Sequence, residues 1–186
     1  NKAEQARKQN KELLVSLVLD EMSIKTGTQR LRNGVVRGYV NFGSFNENVN
    51  TDNLPLAKDV LVLMVVSLDN HWKIPIAYFF INGIDSETNA GIINTALSRL
   101  HDVGVTVVSI TFDGPAQHFA TMRKLGVDVN IEKPLFFFYP STGKAVYVIL
   151  DACHMLKFVR NCFDNLKVFR DSERNEIKWD FIKKLQ

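Results

Sequence analysis

Three aspartates stand where apolar runs end. Asp20 closes the run that begins at Leu13, Asp113 follows Val105 to Thr111 (VTVVSIT), and Asp151 follows Ala145 to Leu150 (AVYVIL). A carboxylate at the end of a buried strand needs a partner, because a buried unpaired charge costs several kcal/mol. A Lys or Arg is one answer and a shared cation is another. If the strands of Asp20 and Asp113 are parallel neighbours, both acids emerge at one sheet edge, where open α/β sheets place their ligands. Two such carboxylates suit a hard cation.

Asp113 and Asp151 also have a plainer reading, whereas Asp20 has no helix behind it. An Asp just before a helix is by default an N-cap that accepts backbone N–H bonds. For Asp113 this is weakened by Pro115, which favours the first helical position and makes Gly114 the N-cap. For Asp151 capping and chemistry both stand. His154 lies beside Cys153, but adjacent helical residues point apart, and no C-x-x-C or H-x-x-x-H spacing supports zinc. His71, His101 and His118 read as surface or capping histidines. No Walker-type phosphate loop and no G-x-S-x-G elbow occurs.

The elements that must position these acids follow from periodicity. Leu13 to Ile24 reads as a central strand apolar on both faces, as a strand covered by helices on each side would be. Lys25 to Gly34 is polar, and Val35 to Gly43 reads as a strand, together suggesting a hairpin; Ser44 to Leu56 is an Asn-rich loop. Val60 to Leu68 and Trp72 to Ile81 form a second hairpin, whose Pro75 calls for an edge or a bulge. Ser86 to Val103 has helical spacing, with Ile92, Ile93, Ala96, Leu97, Leu100 and Val103 as its stripe, Ser86 as N-cap and Gly104 as stop. A short helix spans Pro115 to Leu125. Strand, helix, strand in this order implies a parallel crossover. Val127 to Tyr139 fits either a strand or a packed loop. From Ala152 a helix turns Met155, Leu156, Val159 and Phe163 inward and sets His154, Lys157 and Asn161 on an outer stripe. Arg170 to Gln186 reads as an amphipathic helix with Trp179, Ile182 and Leu185 in phase.

The 186 residues are 46% hydrophobic, enough for one well-packed domain and too few for two large ones. A net charge of +3 is a mild basic excess, compatible with a polyanion. Asn1 to Glu12 reads as a connector or the end of an upstream helix, in which Lys2, Arg7, Lys8 and Lys11 form either a solvated face or a phosphate contact. Two cysteines without a framework point to a reducing compartment, and no apolar run is long enough for a membrane span. With no initiator Met and charged sequence at both ends, the chain reads as a piece of a longer protein.

The series LDEMS (19–23), GYVNFG (38–43), WKIPIAYFFING (72–83), LHDVGV (100–105), TFDGP (111–115) and LDACHMLKFVRN (150–161) resembles the P element transposases and their THAP-domain relatives. The likeness covers nearly the whole chain. It implies an α/β fold of the RNase H-like type, a five-stranded mixed sheet flanked by helices and incomplete at the C-terminus. It divides the chain into a linker (1–12), the first part of the RNase H-like domain (13–168), and the start of a helical GTP-binding insertion (169–186).

By that resemblance Asp20 and Asp113 match the first two members of an acidic catalytic triad that holds two Mg²⁺ ions, with Mn²⁺ as substitute. The stretch from Asp151 to His154 resembles a D-x-x-H signature close to the active site. The third acid, a Glu on a late helix, matches no glutamate here; Glu21 sits next to Asp20 but on the opposite face of its strand. The implied activity is cut-and-paste cleavage and strand transfer by phosphoryl transfer on DNA, at transposon ends and target, in the nucleus and with no membrane partner. GTP and any homo-oligomer contacts belong to regions beyond this chain, and the fragment alone is expected to be inactive. His154, Lys157 and Arg160 are candidates to line the DNA backbone, against an ordinary solvated helix face. Two further readings stay open: a domesticated transposase that binds DNA or protein without cutting, and a nuclease of the same fold.

Overall fold

A computed structural model describes residues 12–32, 36–43, 54–113, 116–130 and 132–184. The expected connector with Lys2, Arg7, Lys8 and Lys11, the Gly114 cap with Pro115, most of the Asn-rich loop and Leu185 lie outside the described residues. The chain forms two compact units, residues 1–149 and 150–186.

In the first unit the order is β1 (Leu13–Ser23), β2 (Gln29–Arg30), β3 (Val36–Arg37), β4 (Asp59–Ser67), β5 (Lys73–Ile81), α1 (Ser86–Asp102), β6 (Val105–Phe112), α2 (Ala116–Lys124), β7 (Phe136–Phe138) and β8 (Ala145–Leu150), whose last residue falls in the second unit. The main sheet has six strands in the order β5-β4-β1-β6-β8-β7. It is mixed: β1 runs parallel to β6 and antiparallel to β4, and β4 is antiparallel to β5. The sixth strand is β7, from the stretch that fitted either strand or loop; it pairs antiparallel with β8 at the sheet edge.

The core is set by alternation. Leu13, Val15, Leu17 and Leu19 of β1, Leu61, Leu63 and Val65 of β4, and Val105, Val107, Ile110 and Phe112 of β6 are all buried, as are Ile93, Ala96, Leu97 and Leu100 of α1. At about 25 cal/mol per Å² of apolar surface, this layer is the chief favourable term in folding. The opposite face of β1 is not covered to the same degree as expected. Leu14 and Val18 are only half-buried there, as are Val60, Val62, Met64 and Val66 of β4.

Because β5 and β6 run the same way with β4 and β1 between them, α1 is the crossover the order of elements implied. Its N-cap is Asp85 rather than Ser86: the Asp85 carboxylate accepts from the Thr88 N–H at 2.8 Å. Val103 is exposed at the C-cap instead of joining the stripe, and Gly104 follows with φ +80°. Pro75 meets both conditions set for it, lying on edge strand β5 beside a register irregularity at Leu63/Met64. The expected strand Val35–Gly43 is reduced to the two residues of β3, paired with β2, plus single bridges from Tyr39 to Leu56 and Asn41 to Phe80. Gly38 explains part of the break: its φ is +115° and a Cβ there would collide with the Gly27 carbonyl.

One irregularity matters most. Along the β1–β6 ladder Leu13 pairs with Val105 and Val15 with Val107, but Ser16 pairs with Ser109, so Val108 is an extra residue on β6. This β-bulge resets the phase of everything after it. Strict alternation from Val105 would put Asp113 in phase with Val107, on the face opposite Asp20. With the bulge, Ile110 pairs with Leu17 and Val18 with Thr111. Two residues further on each strand, Asp113 comes level with Asp20. The bulge is tied across the strands by Ser109 Oγ–H donating to Ser16 Oγ at 2.9 Å, both serines being buried.

The second unit contains α3 (Ala152–Leu166), β9 (Val168–Arg170), β10 (Glu176–Lys178) and α4 (Trp179–Lys183). The long C-terminal helix expected from Arg170 onward is replaced by a hairpin and one short helix. The Asp171 carboxylate causes the turn, accepting from the N–H groups of Glu173 (2.9 Å) and Asn175 (2.8 Å), while Arg174 takes φ +71°. The inward stripe expected on α3 also contracts to one residue: Phe163 is buried, whereas Leu156 is 71% and Val159 54% exposed. Phe163 differs because it has ring partners, stacking on Phe169 at 4.5 Å and meeting Trp179 edge-on at 5.2 Å.

Candidate active site

Asp20 lies near the end of β1, exposed and paired across the ladder with Val62. Asp113 is the first residue after β6, with its side chain 22% exposed. With neighbouring strands about 4.8 Å apart, the bulge-set register puts the two backbones side by side at one edge of the sheet.

Three residues gather around them: His118 and Glu21, which sequence reasoning set aside, and Asp59, which it did not single out. His118, read as a surface or capping histidine, is only 5% exposed. It stands in the first turn of α2, its ring 5.1 Å from that of fully buried Phe112. Its Nδ1 lies 3.2 Å from the Asp113 backbone carbonyl and 3.0 Å from Asp113 Oδ1. The angles give the hydrogen bond to the carbonyl; Oδ1 is buried and has no hydrogen bond among the described residues. The only sequence signal for this contact is a histidine one helical turn past an acid that ends a strand.

Glu21 is the second. Its Cα partner is buried Leu61, which places it in the other phase from Asp20, as expected. Though exposed by surface area, enough protein crowds its carboxyl for burial to push the pKa up; His118 pulls the other way, and Asp113, Asp59 and Asp20 add to the rise. Asp59 is the third, at the start of β4 opposite Ser23, whose hydroxyl donates to its carboxylate at 2.7 Å. Neither Glu21 nor Asp59 carries a sequence pattern marking it for this cluster; the β1–β4 register brings Asp59 there.

In the second unit Asp151 is the N-cap of α3. Its Oδ1 accepts from the N–H groups of Cys153 (2.7 Å) and His154 (3.3 Å), and these bonds hold its carboxyl below the usual range. Of the two readings of Asp151, capping is thus realised. His154 Nδ1 is 3.4 Å from the other Asp151 oxygen, a separation too long to count as a good hydrogen bond. Lys157 and Arg160 are exposed on α3.

Residues 1–126 match the family model described as "TNP-like, RNase H N-terminal domain", and residues 153–186 match that described as "TNP-like, GTP-binding insertion domain". The chain belongs to the TNP-like transposase family. Within that family it is P element-like and carries the RNase H-like fold. It is 29% identical to the human DNA transposase THAP9 over 134 residues, which is 71% of this chain and 15% of that protein. The fold also matches the solved Drosophila P element transposase strand transfer complex with a TM-score of 0.69 at 21% identity, over 93% of this chain and 34% of that one. The chain thus spans a small part of the length of either relative.

An RNase H-like fold suggests a divalent metal, and the donor chemistry around Asp20 and Asp113 suits one. The acids offer oxygen donors to a hard cation, and Asp113 Oδ1 is a buried oxygen with no hydrogen bond among the described residues. Among the described residues no three His, Cys, Asp or Glu side chains already converge as a complete ligand set. The fit is that of part of a site.

Proposed function

We propose that this chain is the first part of the catalytic RNase H-like domain of a P element-like DNA transposase, cutting and joining DNA in the nucleus. The observation that carries the reading is the bulge at Val108, which brings Asp113 level with Asp20 at the end of two buried parallel strands. A bulge beside an acid pair is a device for aiming side chains. Supporting it are the family match over the first two-thirds of the chain and the likeness in fold to a P element transposase strand transfer complex.

In this reading Asp20 and Asp113 would hold Mg²⁺, or Mn²⁺ in its place, which would activate the attacking oxygen and stabilise the leaving one. Asp113 presents its unbonded Oδ1, and exposed Asp20 presents its carboxylate from the neighbouring strand. A third acid from elsewhere in the protein completes the set, so the chain alone cleaves DNA negligibly. On α3, Asp151 acts as a helix cap that fixes the start of the helix, and His154, Lys157 and Arg160 face DNA phosphates. The match of residues 153–186 to a GTP-binding insertion extends the reading to a nucleotide bound by the longer protein.

A thermal-shift titration with Mg²⁺ and Mn²⁺ tests the assignment on this chain and on its Asp20→Asn and Asp113→Asn variants. Stabilisation by metal that either substitution removes is the expected outcome. Equal shifts in all three proteins would overturn it. In the full-length transposase, replacing Lys157 and Arg160 should lower the salt dependence of DNA binding by about one unit of log–log slope for each phosphate no longer neutralised; an unchanged slope removes them from the DNA surface.

A further inference from the structure

We infer that His118 is the positioning residue of Asp113, holding its backbone and one buried carboxylate oxygen in place so that the carboxyl is oriented toward a cation; this rests on the metal-binding reading of Asp113 given above.

The contact is built on both sides. Phe112, fully buried, packs against the His118 ring at a 37° tilt and fixes its plane. Among the described residues Nδ1 faces two acceptors, the Asp113 carbonyl at 3.2 Å and Oδ1 at 3.0 Å, and with both of them acceptors it carries the proton and donates. The bond to the carbonyl anchors the backbone where β6 ends. Oδ1 is held at contact distance without being used up as an acceptor. A surface histidine capping a helix would be free to swing away; one that is 5% exposed is not. Partners of this kind, one step out from a metal ligand, fix its orientation, and their loss costs about 10- to 100-fold in metal affinity.

Two measurements on the 186-residue chain test this. Long-range ¹⁵N–¹H correlation spectra of the histidines read the tautomer directly. His118 should be protonated at Nδ1, and its ring resonances should move in Asp113→Asn. Protonation at Nε2, or resonances indifferent to Asp113, would overturn the inference whether or not the chain binds metal. Mn²⁺ affinity from water-proton relaxation is then compared among the native chain, His118→Phe and His118→Asn. The Phe variant keeps the ring packing and loses the donor, so its affinity should fall about 10-fold or more. Asn, whose amide nitrogen sits near the Nδ1 position, should recover most of it. Native affinity in His118→Phe, with Asp113→Asn still abolishing binding, would sink the role of His118 and leave the metal site standing. If no protein in the set binds Mn²⁺, the metal reading of this chain fails, and with it the role of His118 toward a cation.

Discussion

Removing either serine of the Ser16–Ser109 pair should destabilise the first unit far more than removing both. In Ser16→Ala the Ser109 hydroxyl loses its acceptor in a site where both residues are buried. An orphaned buried hydroxyl costs about 1–3 kcal/mol. In Ser109→Ala, Ser16 Oγ keeps only the backbone carbonyl of residue 109 at 3.5 Å, too long to compensate. The double variant leaves no orphan, and exchanging two paired hydroxyls for apolar groups is close to neutral. The coupling energy in the cycle is therefore expected to be at least about 1 kcal/mol, well above the roughly 0.3–0.5 kcal/mol scatter of independent sites. Urea unfolding of the four proteins at constant m-value measures it. Additive losses would mean that the two hydroxyls do not meet. Ser16 would then not pair with Ser109, and the register that aligns Asp113 with Asp20 would fall with it.

Phe112→Ala should cost about 3–5 kcal/mol, the range for emptying a fully buried aromatic site; a loss under about 1 kcal/mol by urea unfolding would contradict the packing against His118. Glu21 titrates above its ordinary value of 4.5, so its ionised form opposes the fold: the penalty grows as pH rises through that region and is complete above the raised pKa. Glu21→Gln should accordingly raise the melting temperature at neutral pH and leave it unchanged in acid, and a fall at neutral pH would reverse the sign of the argument. Asp151 titrates below its ordinary 3.8, so its cap adds stability above that value and loses it as pH falls through the depressed folded pKa. Asp151→Ala should lower helicity by circular dichroism at neutral pH and match the native chain in strong acid; a constant difference at all pH values would exclude the ionised cap.

Strands β1, β4, β5, β6 and β8 and the helix α1 were legible because their apolar spacing is regular, whereas the three-residue β7, the sixth strand of a sheet expected to have five, was not; the acids were found because they interrupt that spacing. What could not be read was pairing. A bulge such as Val108 exists only relative to a partner strand, and nothing in VTVVSIT marks the extra residue. His118 was misread for a related reason: its burial depends on how α2 returns over Phe112, a tertiary fact. The hairpin at Val168–Lys178 overrode a helical pattern because one side chain, Asp171, captured two backbone N–H groups. On α3 the amphipathic stripe was present in the sequence, yet only Phe163 found aromatic neighbours to bury it.

A strand keeps count of its residues by parity, and Val108 changes that count once, midway along β6. The two halves of the strand thereby answer to different demands. Val105 and Val107 answer only to the core, while past the bulge the strand must seat Ile110 and Phe112 in that same core and also bring Asp113 level with Asp20. A single added or lost residue on the far side of the bulge can be absorbed by reshaping the bulge itself, whereas the same change between Ser109 and Asp113 would turn the carboxylate away from Asp20. Tolerance to one-residue insertions should therefore drop abruptly at Ser109, making the strand robust over its first half and exacting over its second.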